Sequence, residues 1–237
     1  MPTHALADLE YTPTVPKERP EVGRLAPPDV GERLRTRRLA LNLSVRELAR
    51  RLSLSPSLIS QIERGKATPS VGTLYAMTTE LDMSMDALFF EPGDTDNGTG
   101  AIAGVPMRGN GSHPPVESSD PLVHPEDRKR IQLDSGVRWE RLTRSHDPSV
   151  DFLYVVYEPG GASCDPDALM RHSGREYGHV LSGTLGVTIG FDTHVLGPGD
   201  SISFDSTTPH RLATIGDEEV HAIWFVVGRL GDPRLNS

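Results

Sequence analysis

The sequence predicts an α + β chain of two domains, a helical one followed by a strand-rich one, and three observations carry that prediction. Hydrophobic spacing changes along the 237 residues from i, i+3, i+4 recurrence to short alternating runs. A Gly- and Pro-punctuated stretch, opening EPGDTDNGTG and closing GNGSHPPVESS, separates the two patterns over 91–119. Charge is divided at the same place. The net charge is −9, yet 31–79 holds nine basic residues against Glu32, Glu47 and Glu63, while 122–237 holds eleven basic against seventeen acidic. The first part suits a phosphate backbone and the second repels it.

Composition excludes several classes. With 23 Gly and 20 Pro, a helix-only fold is ruled out. The longest apolar runs, 152–157 and 222–227, fall far short of the roughly 20 residues that a membrane span requires. The N-terminus has no basic region followed by an apolar stretch, so no secretory signal is expected. Cys164 is the lone cysteine, which excludes an internal disulfide. A cytoplasmic protein is expected.

Five segments follow. Residues 1–28, with Pro2, Pro13, Pro16, Pro20, Pro27 and Pro28, read as a disordered arm. Residues 29–90 form the helical domain, 91–119 a flexible linker that leaves neither domain dictating the other's position, 120–230 the strand-rich domain, and 231–237 a tail.

In the helical domain, Val45, Leu48, Ala49 and Leu52 share one helix face, and Ser44 with Glu47 forms an S-x-x-E box that starts the helix. Ser55 caps the next helix, Pro56 takes its first position, and Gly65 ends the segment. Helices are expected over 30–41, from Ser44 to Leu52, and over 56–64, 71–81 and 85–89, which makes a five-helix bundle. Strands are expected over 137–142, 152–157, 176–181, 185–189, 201–204 and 220–227, a pattern of short strands that suggests a sandwich or barrel.

Two short helices joined by Ser53-Leu54-Ser55 have the form of a helix-turn-helix, in which the second helix enters the major groove. Ala49 is small where the helices cross, and Ile59 and Ile62 face the core. The run SVRELARRLSLSPSLISQIERGKATPSVGTL, with its Q-I-E-R-G-K-x-x-P-S ending, resembles the Cro/repressor or XRE family of regulators. That resemblance puts Pro56, Ser57 and Gln61 on base edges and Ser44, Ser55, Arg64 and Lys66 beside phosphates, with Arg46 and Ser60 in the same DNA-binding set. Gln61 is the strongest reader, because its amide can contact adenine in a bidentate way. Arg38 and Glu63 resemble the family's internal ion pair. Ser53 stands where such turns often have Gly, at some backbone cost.

The strand-rich domain holds HSGREYGHVLSG over 172–183 and GPGDSISFDSTTPH over 197–210. These resemble the two motifs of the cupin superfamily, a double-stranded β-barrel of jelly-roll type. The family's first motif is H-x-H-x(3,4)-E-x6-G; His172, Glu176 and Gly183 fit it, while Met170 stands in place of the first His. By that resemblance His172, Glu176 and His210 are the candidate ligands, a set of two imidazoles and one carboxylate that suits Fe(II) or a similar divalent ion with open positions. The residues leave three readings open: a divalent metal, contacts to an organic effector without metal, or a structural polar cluster. Strand alternation turns His179 away from Glu176, so it is not expected as a ligand.

An XRE-like reader ahead of a cupin resembles a class of regulators whose barrel senses a small molecule. The resemblance implies a sequence-specific DNA-binding regulator that acts on a double-stranded operator, responds to an effector and pairs as a homodimer. It implies no catalysis. The alternative is an iron-dependent oxygenase with the same domain layout, such as the phosphonate epoxidase family, using the same three ligands.

Overall fold

The computed structural model describes residues 30–89, 122–144, 147 and 149–228. The arm 1–28, the linker 91–119 and the tail 231–237 lie outside the described residues.

Among the described residues the helical part has four α-helices: α1 (Val30–Ala40), α2 (Val45–Leu52), α3 (Pro56–Glu63) and α4 (Val71–Glu80). Three of them start on a serine whose hydroxyl accepts a backbone N–H: Ser44 from Glu47 at 3.1 Å, Ser55 from Leu58 at 3.1 Å, and Ser70 from Thr73 at 3.2 Å. The Glu47 carboxylate bonds Arg50 and Arg51 on its own helix. Leu34, Leu48, Ile59, Ile62, Leu74 and Met77 bury the shared apolar face. Gly31 is required where α1 meets α3, because a Cβ there would lie 2.2 Å from the Ile62 carbonyl oxygen. The five-helix bundle is corrected in one respect: 85–89 forms a single 3-10 turn, Asp86–Leu88. Five residues are too few to offset the cost of nucleating an α-helix.

Among the described residues the strand part has nine antiparallel strands: β1 (Arg130–Leu133), β2 (Val137–Arg141), β3 (Val150–Tyr157), β4 (Arg175–Ser182), β5 (Leu185–Ile189), β6 (Asp192–Leu196), β7 (Ser201–Asp205), β8 (His210–Thr214) and β9 (Val220–Val227). They form a six-stranded sheet ordered β1-β2-β3-β9-β4-β7 and a three-stranded sheet ordered β6-β5-β8. The expected barrel is therefore not closed. Between β8 and the facing segment only isolated bridges form, at Ala162–Ala213 and Met170–His210, so the hydrogen bonding does not run round the circumference. Trp139, Leu153, Val155, Leu212, Ala222 and Trp224 fill the space between the sheets.

The helical part and the strand part are in contact. Asp86 and Arg141, both buried, pair at 2.6 Å. The Asp86 carboxylate also accepts the Asp147 N–H at 2.9 Å. Gly72 N–H donates to the Ser163 carbonyl at 2.9 Å, and Asp134 N–H to that of Pro69 at 3.1 Å. Tyr75 of α4 stacks flat on His172 with centroids 4.3 Å apart and meets the edge of Trp139 at 5.6 Å.

Arg38 and Glu63 form a two-point pair inside the helical part, at 2.5 and 2.7 Å, and the Arg38 guanidinium also donates to the Leu43 carbonyl at 2.7 Å. Hydrogen bonding to Glu63 raises the Arg38 pKa against the opposing effect of burial. Removing one member strands the other charge in the core. Glu63→Ala should cost about 3–5 kcal/mol in chemical denaturation followed by helical circular dichroism; a loss below about 1 kcal/mol, the usual worth of a surface pair, would show that the pair is not holding the bundle.

Candidate functional site

The turn between α2 and α3 is tight because Ser53 adopts a left-handed conformation, φ 55°, where glycine is cheaper. It sets Pro56, Ser57 and Gln61 on the exposed side of α3, with Ser60 half-buried and Ile59 and Ile62 turned into the core. The Gln61 amide leans on the Ser57 hydroxyl at 3.4 Å. Ser44 and Ser55 are exposed caps, and Arg46, Arg64 and Lys66 are exposed cations. Arg64 is anchored to the Ser60 carbonyl at 2.9 Å. Arg50 and Arg51 are engaged by Glu47, and Arg51 also by Glu80. Hydrogen bonds from Arg50 and Arg51 hold the Glu47 pKa down to about 2.

On β4 burial alternates, with Glu176, Gly178 and Val180 inward and Tyr177, His179 and Leu181 outward. His179 sits on the outer face with Nδ1 at 2.9 Å from the Ser201 hydroxyl. His172 precedes β4 and is fixed by its N–H to the Ser206 carbonyl; His210 opens β8 and is held by mutual backbone bonds with Met170. The structure brings His172, Glu176 and His210 together. Both Nε2 atoms approach one carboxylate oxygen, Oε1 of Glu176, at 3.0 and 3.1 Å, and all three side chains are buried.

The other ring nitrogens determine what these contacts are. Nδ1 of His172 lies 2.9 Å from the Ser173 carbonyl, and Nδ1 of His210 lies 2.8 Å from that of Thr208. A carbonyl only accepts, so each Nδ1 carries a proton, and a neutral ring then presents a lone pair at Nε2. Two such lone pairs and a carboxylate oxygen facing one another repel unless a proton or a cation lies among them. Nε2 of both rings and Oε1 of Glu176 face only one another, and the potential ligand atoms lie within 4.8 Å of one another. This donor set fits a divalent ion of the Fe or Zn kind.

Without a metal, protons on the imidazoles fill that role. Burial opposes ionisation of Glu176, but the two imidazoles outweigh it and hold its carboxyl well below the usual range. Burial likewise lowers the His210 pKa, and Glu176 outweighs it and raises the net value. Burial, with Glu176 adding to it, pushes the Tyr157 phenol well up.

Two supporting residues were not visible as site residues in the sequence. Trp224 on β9 lies across from Gly178, and its indole N–H donates to Oε2 of Glu176 at 2.7 Å, fixing the carboxylate. A Cβ on residue 178 would meet the Trp224 ring at 2.0 Å, so the glycine is what admits the indole. The second is Tyr75, which comes from the helical part. Met170, in place of the family's first His, has no imidazole to offer, and its side chain lines the cavity around Glu176.

Helix-turn-helix and cupin family models match residues 34–88 and 153–226. Together with the fold, they define the class: an XRE-type helix-turn-helix transcriptional regulator with a C-terminal cupin domain. Over 185 residues, 77% of this chain and 86% of the relative, it is 26% identical to the HTH-type transcriptional regulator PuuR of Escherichia coli (strain K12). Among solved structures it is similar to an HTH_3 family transcriptional regulator from Vibrio cholerae, with 21% identity, 85% of this chain and 96% of that chain covered, and a TM-score of 0.56. Hydroxypropylphosphonic acid epoxidase from S. wedmorenis aligns over 85% of this chain and 97% of its own at 20% identity, with a TM-score of 0.37. Among the described residues no helix is long and apolar enough to cross a membrane.

Titrating Zn(II), Mn(II) or anaerobic Fe(II) into chelator-treated protein should give near one equivalent bound. Glu176→Ala should abolish this, His179→Ala should leave it intact, and Trp224→Phe should weaken it by about 10- to 100-fold. Because the raised pKa of His210 keeps a proton where a metal must bind, affinity should fall as pH drops through that pKa, with proton release on binding measurable by calorimetry in buffers of different ionisation enthalpy. Stoichiometric binding that survives Glu176→Ala would place the metal elsewhere.

Proposed function

We propose that the protein reads a double-stranded operator through α3 as a homodimer, and that its cupin domain senses a small-molecule effector that changes operator affinity. The observation that carries the sensing half is the buried convergence of His172, Glu176 and His210 in a domain joined to a DNA reader. Pro56, Ser57 and Gln61 are assigned to base edges, Ser44, Arg46, Ser55, Arg64 and Lys66 to phosphates, and Ser60 to the same surface. A divalent ion such as Fe(II), held by the triad, would supply open coordination positions for an effector oxygen or nitrogen. The boundaries 29–90 and 120–230 divide the chain between the two tasks, and the DNA-reading task places it in the cytoplasm.

Pairing follows from the reach of one helix. A single α3 covers few base pairs, and half-sites about 34–36 Å apart are the usual solution. The outer face of the six-stranded sheet supplies a surface for a second copy. Tyr177, 45% exposed, lies there beside Ile223, Phe225 and Val227, an apolar patch rimmed by Ser201 and Ser203. Tyr177→Asp should shift dimer to monomer in sedimentation, and an unchanged mass would remove this face from the dimer.

The triad also favours a second reading, a mononuclear non-haem iron oxygenase. Effector-dependent operator affinity with no turnover of that compound supports the regulator; oxygen consumption with operator affinity unmoved supports the oxygenase.

The DNA half is tested by two substitutions with different signatures. Gln61→Ala should cost about 1–3 kcal/mol on a selected operator and relax one base preference. Lys66→Ala should weaken all sequences alike and flatten the salt dependence of binding. Equal loss on operator and random DNA for Gln61→Ala would remove it from the reading set.

A further inference from the structure

The cavity around Glu176 is walled by Trp139, Leu153, Val155 and Trp224 from the cupin and roofed by Val71 and Tyr75 from α4 of the DNA-reading domain. Its volume is about 20 Å³. That admits one water-sized species or an ion, whereas pockets for organic ligands run to roughly 300–1,000 Å³. Immediately outside lies a cleft of about 1040 Å³ between the two domains, lined by Gly72, Thr73 and Ala76 on one side and Cys164, Arg171 and Arg211 on the other. Tyr75 and Met170 line both spaces, so they are the partition between them.

We infer that Tyr75 is the gate of the cupin centre and that the interdomain cleft is the binding site for organic ligand, so that the DNA-reading domain is itself a wall of the sensor site. This rests on the sensing role proposed above. Most of the remaining walls are strands tied into β-ladders over several residues each, and Ser163 and Met170 are held to β8 by backbone hydrogen bonds. α4, by contrast, meets the cupin through the Gly72 to Ser163 hydrogen bond, flanked by Asp134 to Pro69 and by the Asp86–Arg141 pair. The pair gives little resistance to opening, since both charges regain water when the interface parts. Of all the walls, α4 and its tyrosine are the part that belongs to the other domain. The flat stack of Tyr75 on His172 adds a second link: whatever fixes or turns the imidazole also acts on the α4 side chain. A ligand reaching the triad from the cleft must pass between Tyr75 and Met170, and in moving Tyr75 it touches the domain that reads DNA.

Both tryptophans of the chain, Trp139 and Trp224, line this cavity and are 3% and 5% exposed. Acrylamide quenching of their fluorescence in the full-length protein therefore reads the gate without needing the effector or a metal. Quenching should be weak in the wild type and in Tyr75→Phe, which keeps the ring, and several-fold stronger in Tyr75→Ala. A second route avoids the tyrosine. A Cβ on residue 72 would sit 3.3 Å from that of Cys164, so Gly72→Leu should lift α4 and raise both the quenching and the rate of Cys164 reaction with a thiol reagent. Zn(II) loaded on the triad should also leave faster to an external chelator in Tyr75→Ala than in Tyr75→Phe. Quenching unchanged in folded Tyr75→Ala and Gly72→Leu proteins would overturn the gate, and effector-dependent operator binding would still stand. Quenching that responds to Tyr75→Ala in a protein whose operator affinity ignores every effector would establish the gate and defeat the sensing role.

Discussion

One carboxylate oxygen organises the cupin domain. Oε1 of Glu176 is approached by two imidazole nitrogens whose opposite edges are pinned to backbone carbonyls, and its other oxygen is pinned by the Trp224 indole. None of these groups can turn aside without losing a buried hydrogen bond, which is costly where no water replaces it. The sheets follow from that requirement. β4 must carry Glu176 inward, β8 must open on His210, and β9 must present Trp224 opposite a residue with no side chain. β4 is thereby fixed against the consecutive strands β8 and β9, and the lone pairs they gather define what can occupy the centre.

The same physical economy explains how the helical part is built. Its helices are short, 8 to 11 residues, too short to persist alone in water. Serine caps, the Arg38–Glu63 pair and the close approach of α1 to α3 at Gly31 compensate. The result holds Ser57 and Gln61 outward on a helix whose opposite face is locked by Ile59 and Ile62.

Much of this was legible because local chemistry carries it. Capping serines, Pro56 and Gly65 mark helix ends by mechanism, and the alternation in REYGHVLS marks which side of β4 is buried. His172, Glu176 and His210 stood out as polar residues within string motifs. Three strands went unread for physical reasons: β1 is four residues long, β6 is exposed at four of five positions, and β8 begins at a site histidine and not at an apolar residue. Trp224 looked like one more core aromatic, because its role depends on cross-strand register with Gly178. Nothing in the helix pattern around Tyr75 distinguishes it from a core residue of its own domain. Its partners, Trp139 and His172, are distant in sequence.

The seam between the domains bears on how such proteins can be recombined. A helix-turn-helix is often treated as an interchangeable cassette, moved between sensors to redirect specificity. Here residues 30–89 carry a buried carboxylate at Asp86, a glycine at 72 shaped to the Ser163–Cys164 backbone, and an aromatic ring at Tyr75 seated on a partner imidazole. Transplanted onto a foreign cupin, that cassette would bring an unmatched charge and an uncovered ring to the new boundary. The compatible unit of exchange is the reader together with Trp139, Arg141, Ser163 and His172, so the two halves of this chain are under joint constraint and not free to diverge independently.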